Sequence, residues 1–167
     1  MDKFTTLTGV AAPLPEANID TDIIFPARFL LLLDKTGLGK HLFHERRYPK
    51  RPDEPKFVLN TPPFDTAKIL VAGANFGSGS SREHAVWALR DFGIKCVIAP
   101  SFGEIVYNNC FKNGVLPIVL GETEHRRVVD AATTGTLLSV DLEAQAIVLP
   151  GEQLPFDIDP YRQRALL

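Results

Sequence analysis

The side chains with the most chemical capacity in this sequence lie side by side: Ser78, Ser80, Ser81, Arg82, Glu83 and His84, inside Asn75-Phe76-Gly77-Ser78-Gly79-Ser80-Ser81-Arg82-Glu83-His84-Ala85. Glycine lets the backbone turn its N–H groups toward a ligand, and arginine brings a planar fork matched to carboxylate or phosphate. A hydroxyl, Ser80 or Ser81, then stands beside whatever anion the turn holds. The apolar run Ile69-Leu70-Val71-Ala72-Gly73 precedes the segment and reads as a buried strand. Ala85-Val86-Trp87-Ala88-Leu89 follows it and reads as helix. A turn between strand and helix puts unsatisfied N–H groups and the positive helix end at one spot, which suits negative charge.

The common nucleotide and nucleophile motifs do not fit. A dinucleotide fingerprint starting at Gly77 needs glycine where Arg82 stands, and a P-loop needs a Gly-Lys-Ser/Thr ending that this segment lacks. A nucleophile elbow needs glycines two residues either side of the serine, and neither Ser78 nor Ser80 has them. The plain alternative is a glycine turn in which Ser80 or Ser81 only caps the helix. Arg82 argues against it, because a cation in a first helical turn opposes the dipole. Glu83 suits that turn and needs no other role. His84 follows Ser80 by four residues, but Ser80 precedes the helix, so packing explains this histidine better than a Ser–His relay. His41, His44 and His125 do not share metal-ligand spacing. Asn108, Asn109 and Asn113 cluster near a helix end, where capping accounts for Asn113.

The elements needed to place this turn can be read along the chain. Residues 4–12 form a first strand, and a loop over 13–24 carries Asp20-Thr21-Asp22, whose plainest role is to cap its own turn. A mixed apolar and glycine segment runs over 28–48, followed by a proline-rich surface connection to Pro63 in which Phe57-Val58-Leu59 docks. From Lys68 strands and helices alternate: strands at 68–73, 95–99 and 116–120, helices at 81–92, 102–112 and 122–132. That order predicts an α/β fold with a mostly parallel sheet and right-handed crossovers. Short strands at 137–142, 146–149 and 154–158 predict an antiparallel ribbon at one edge.

The 167 residues, 45% of them hydrophobic, suffice for one domain with a real core and are short for two. A net charge of −2 with no basic patch argues against nucleic acid. The apolar runs are too short to span a bilayer and Met1–Thr6 has no signal core, so a cytoplasmic protein without membrane contact is expected. The two cysteines, Cys96 and Cys110, sit in apolar surroundings on different predicted elements, too few for a four-iron cluster usually held by three or four thiolates.

Gly77-Ser78-Gly79-Ser80-Ser81-Arg82-Glu83-His84-Ala85 resembles the signature of the aconitase superfamily's swivelling domain. Asn18-Ile19-Asp20-Thr21-Asp22-Ile23-Ile24, Thr36-Gly37-Leu38-Gly39-Lys40-His41-Leu42-Phe43 and Tyr107-Asn108-Asn109-Cys110-Phe111-Lys112-Asn113-Gly114 are similar to segments of the small subunits of bacterial isopropylmalate dehydratases, in the same order and spacing. The resemblance covers nearly the whole chain. It implies a single swivelling β/β/α domain over 1–167 and a hydro-lyase that works as a heterodimer with its large subunit, moving a hydroxyl between adjacent carbons of a branched dicarboxylate. It implies no cofactor in this chain, with the 4Fe-4S cluster on the large subunit.

Ser80 is then the catalytic base, acting as an alkoxide. Arg82 clamps a substrate carboxylate, with Gly79 and Ser81 as N–H donors and Thr21 and Asp22 in support. The segment 28–48 is then a mobile loop over the substrate, with Gly37 and Gly39 as pivots. Leu30, Leu31, Leu32, Leu33 and Leu38 offer apolar surface for an alkyl branch, worth about 2 kcal/mol when buried. The same leucines also suit a core or a subunit interface. Relatives carry a lysine near Leu31; here Arg28 and Lys35 are the local cations. Homoaconitase, citraconate or dimethylmalate hydratase small subunits share the pattern, and a non-catalytic anion-binding module stays open beside them. Relatives also continue past Arg164-Ala165-Leu166-Leu167 with a further tail, which predicts exposed apolar surface at Leu166 and Leu167.

Overall fold

The computed structural model describes residues 3–31, 36–48, 51–80 and 82–167. Seven strands make one sheet: β1 (Thr6–Leu14), β2 (Ile69–Ala72), β3 (Cys96–Ala99), β4 (Leu116–Val119), β5 (Leu137–Asp141), β6 (Ala146–Leu149) and β7 (Glu152–Pro155). Their spatial order is β4-β3-β2-β1-β5-β6-β7. β1 to β4 are parallel, while β5, β6 and β7 run antiparallel from the other side of β1. The mostly parallel α/β sheet with an antiparallel ribbon is therefore present as the sequence predicts. β1 belongs to both halves: Ala11–Leu14 pair with β2 and Thr6–Val10 with β5.

β2 and β3 are buried on both faces, which is why each reads as an unbroken apolar run. Leu70, Ala72, Val97 and Ala99 face one core, and Ile69, Val71, Cys96 and Ile98 face the other. Helices α3 (Glu83–Phe92) and α4 (Glu104–Lys112) cover the first core. Helix α5 (Glu122–Thr133) covers the second, and its buried His125 places Nε2 2.6 Å from the Ala72 carbonyl oxygen. That contact gives His125 a packing role. Among the described residues no helix is long and apolar enough to cross a membrane.

Three short α-helices escape the sequence reading. Asp20-Thr21-Asp22 belongs not to an open loop but to the start of α1 (Thr21–Ile24), where the Asp20 side chain accepts from the Ile23 N–H at 2.8 Å. α2 (His44–Arg47) follows a turn at Phe43. At the other end α6 (Pro160–Leu166) starts with proline in its first turn, a favoured place for it. Leu166 is only 2% exposed, Leu167 packs against the same core, and the Phe4 N–H donates to the Leu166 carbonyl at 2.7 Å. The expectation of open apolar surface there is corrected: α6 folds these leucines inward. Its Arg162 guanidinium lies over the Tyr107 and Phe111 rings, tying α6 to α4.

Candidate active site

The turn after β2 is built by close backbone approach. Gly77 has φ +76 and its N–H donates to the Ile19 carbonyl at 2.7 Å, while the Gly103 N–H donates to the Phe76 carbonyl at 2.8 Å. The chain is thereby pinned between the residues leading into α1 and the start of α4. The next residues lace onto α1. The Thr21 N–H donates to the Ser78 carbonyl at 2.9 Å, and its hydroxyl to the Ser80 carbonyl at 3.0 Å. Gly79 turns the chain at φ +99, a left-handed conformation that side chains rarely adopt. Ser80 emerges exposed at the end of this turn.

Arg82 is the N-cap of α3, so the helix begins two residues later than its sequence start at Ser81. Its side chain is 17% exposed and lies against α1, with Nη1 2.8 Å from Asp22 Oδ1 and 3.4 Å from the Phe25 carbonyl oxygen. Asp22 Oδ1 also accepts from the Ala27 N–H at 3.0 Å. The Arg82 hydrogen bond, aided by the one from Ala27, holds the Asp22 carboxyl below its ordinary range. The pair is therefore charged and intact above that depressed value and is lost as pH falls through it. An NMR titration of the Asp22 carboxyl should give a midpoint below that of an unstructured aspartate, moving upward in Arg82→Gln. A midpoint at or above the ordinary value in the unaltered chain would break the pairing.

Sequence reasoning named Ser80, Arg82, Gly79, Thr21 and Asp22 separately, and all five stand in one connected set of contacts. Ser81, Leu32 and Lys35 lie outside the described residues, as does Leu33. Leu31 is 90% exposed, while Leu38 is 2% exposed and buried against the core, so it offers no surface to a ligand. Gly39 is no pivot either. Its N–H donates to Asp91 Oδ2 at 2.8 Å, its carbonyl accepts from Arg47 Nη1 at 2.6 Å, and an added Cβ would meet the Phe92 backbone at 2.8 Å. It lets the turn Leu38–His41 press onto α3.

His84 stacks on Phe25 with centroids 5.7 Å apart and tilts against Trp87 at 4.6 Å, the packing role expected of it. His41 stacks on Phe29 at 3.9 Å, and burial pushes its pKa down. Phe25, whose ring and carbonyl touch His84 and Arg82, was missed from sequence; its one local signal is its place at the end of the apolar Ile23-Ile24-Phe25 run.

Comparison with known proteins decides the family. The family described as the Aconitase C-terminal domain matches residues 1–123, and LeuD_N matches residues 129–160. The chain is 57% identical to the 3-isopropylmalate dehydratase small subunit of Paramagnetospirillum magneticum, covering 100% of this chain and 85% of that protein. It is 58% identical to the one from Parvibaculum lavamentivorans, with the same coverage. The chain belongs to the 3-isopropylmalate dehydratase small-subunit family. A crystal structure of a 3-isopropylmalate dehydratase from Methanocaldococcus jannaschii superposes with a TM-score of 0.70 at 30% identity, over 95% of this chain and 86% of that one.

Proteins of the aconitase type raise the question of an iron–sulfur cluster, and this small-subunit chain does not fit one. Cys96 and Cys110 are both fully buried, and burial raises both thiols, that of Cys110 to about 12. A cluster needs thiolates, and these two side chains are held protonated inside the core. Among the described residues no three His, Cys, Asp or Glu side chains gather at metal distance.

Proposed function

We propose that this chain is the small subunit of a 3-isopropylmalate dehydratase, interconverting 2-isopropylmalate and 3-isopropylmalate by dehydration and rehydration in leucine biosynthesis. It acts in the cytoplasm as a heterodimer with a large subunit that carries the 4Fe-4S cluster. The observation that carries the reading is the junction of turn and α1, where an exposed Ser80 follows a left-handed Gly79 and Arg82 already grips a carboxylate, that of Asp22.

Ser80 takes the proton from one carbon as the hydroxyl leaves its neighbour, giving the alkene, and returns a proton when water adds at the other position. A serine hydroxyl serves as a base only where positive charge and N–H donors stabilise its anion. The α3 N-terminus and the Arg82 guanidinium supply that field. Arg82 also orients the substrate through a carboxylate. A guanidinium has five N–H donors and Asp22 engages it through Nη1, so the Asp22 contact does not use up the donors that a substrate carboxylate needs. Thr21 sets the height of Ser80 by holding its carbonyl.

The test is reconstitution. The chain is mixed with an anaerobically prepared, cluster-loaded large subunit from the same source, and alkene absorbance is followed with isopropylmalate, homocitrate and citramalate. Turnover of isopropylmalate only in the mixture supports the reading. Turnover of another substrate alone redirects it to a sister hydro-lyase, and co-purification without any turnover removes the catalytic claim.

A further inference from the structure

The turn that carries Ser80 and Arg82 is gripped at both ends by one helix, and the second grip is a side chain that helix capping does not require. At the entry, the N-terminus of α4 meets the turn through Gly103, whose N–H bonds Phe76. An added Cβ on Gly103 would lie 2.5 Å from the Gly77 carbonyl oxygen. At the exit, the C-cap of α4 is Asn113, 7% exposed. One hydrogen of its side-chain amide goes to the Asn109 carbonyl at 2.9 Å, the capping contact. The other goes to Glu83 Oε1 at 3.0 Å, on the first residue of α3 and next to Arg82. Its carbonyl accepts from the Trp87 indole N–H at 3.1 Å, one turn further along α3.

The orientation of this amide is fixed by chemistry. An indole N–H can only donate and a carboxylate can only accept, so a flipped amide would lose both bonds. Gly114, at φ +76, takes the left-handed conformation that ends α4, so neither of the two contacts toward α3 is needed to stop the helix. Asn113 spends them on the helix that presents Arg82.

We propose that Asn113 is a positioning residue for the reaction: through Glu83 it sets the angle at which the first turn of α3 delivers Arg82 to the substrate carboxylate. The inference rests on the proposed function, because it needs a substrate for Arg82 to hold. Losing one buried hydrogen bond to a charged group should move substrate KM by about tenfold. A purely structural role would instead lower the amount of active enzyme, which scales apparent kcat and leaves KM unchanged.

The experiment uses the reconstituted two-subunit complex with isopropylmalate. Asn113→Ala and Glu83→Ala should each raise KM about tenfold, and the double variant should raise it no further, since the Asn113–Glu83 contact is lost in both. Glu83→Gln keeps an acceptor oxygen and should stay near the unaltered KM. Trp87, the sole tryptophan, reports the other arm: its indole N–H resonance should shift in Asn113→Ala and not in Glu83→Ala. Unchanged KM in both alanine variants, or additive effects, overturns the proposal, and Glu83→Ala gives that answer even if Asn113→Ala fails to fold. Absence of turnover by the unaltered complex overturns the functional reading itself.

Discussion

Replacing Ser80 with alanine should lower turnover of the assembled complex by about a thousandfold or more, with subunit assembly unchanged. General bases contribute roughly 10²–10⁴ to rate, and an alanine methyl cannot take up a proton. The structure makes the change a clean one. Ser80 is exposed, and its bond with Thr21 runs through the backbone carbonyl, which alanine keeps. The Arg82–Asp22 pair lies beyond the change and holds α3 against α1 as before. The measurement is steady-state turnover beside size-exclusion chromatography of the complex. Near-normal turnover would remove Ser80 from the chemistry. Lost assembly would mean that the hydroxyl serves the interface.

The second large effect is on stability. Gly77→Ala should destabilise the chain by about 2–4 kcal/mol in urea unfolding. Left-handed strain accounts for about 1 kcal/mol. Overpacking adds about 1–3 kcal/mol, because the new Cβ would lie 2.7 Å from Cβ and both γ-carbons of Val106, a branched side chain with few ways to yield. Gly37→Ala is the control: φ is almost the same at +77, but among the described residues nothing lies within 4 Å of the added carbon. It should lose only the strain. Equal losses at the two positions would mean that contact with α4 does not constrain the turn.

The parts of this fold that were legible in sequence are those decided locally. β2 and β3 announced themselves because burial on both faces leaves no polar position in either strand. The antiparallel ribbon was visible through its turns. α1 was not, because Asp20-Thr21-Asp22 has the composition of a turn and the helix it opens is four residues long. α6 has a local start signal in Asp159-Pro160, but its seven residues are too few to show a helical period in sequence.

The site divides the same way. Ser80 and Gly79 could be named from the pattern of the turn, but their setting depends on distant partners. Asp22 meets Arg82 across 60 positions, and Gly39 meets Asp91 across 52. Gly39 shows the hazard most clearly: in sequence a glycine looks like freedom, and here it is a place where two backbones touch. Glu83 was explained by the helix dipole alone, which is true of its charge and silent about Asn113, 30 positions away.

The double membership of β1 has a consequence for how the chain is made. Its first half waits for distant partners such as Ser139, 131 positions along from Thr8, while its second half can pair as soon as β2 appears. At ordinary rates of synthesis the ribosome needs on the order of 10 s to deliver that stretch. During that interval the central strand of the sheet has one side satisfied and the other open, and α5, which covers the second core, is among the late arrivals. Pairing over such separations is intrinsically slow, so the β1–β5 ladder follows the early α/β units. The emerging chain therefore carries an open strand edge until residue 141 completes the ladder.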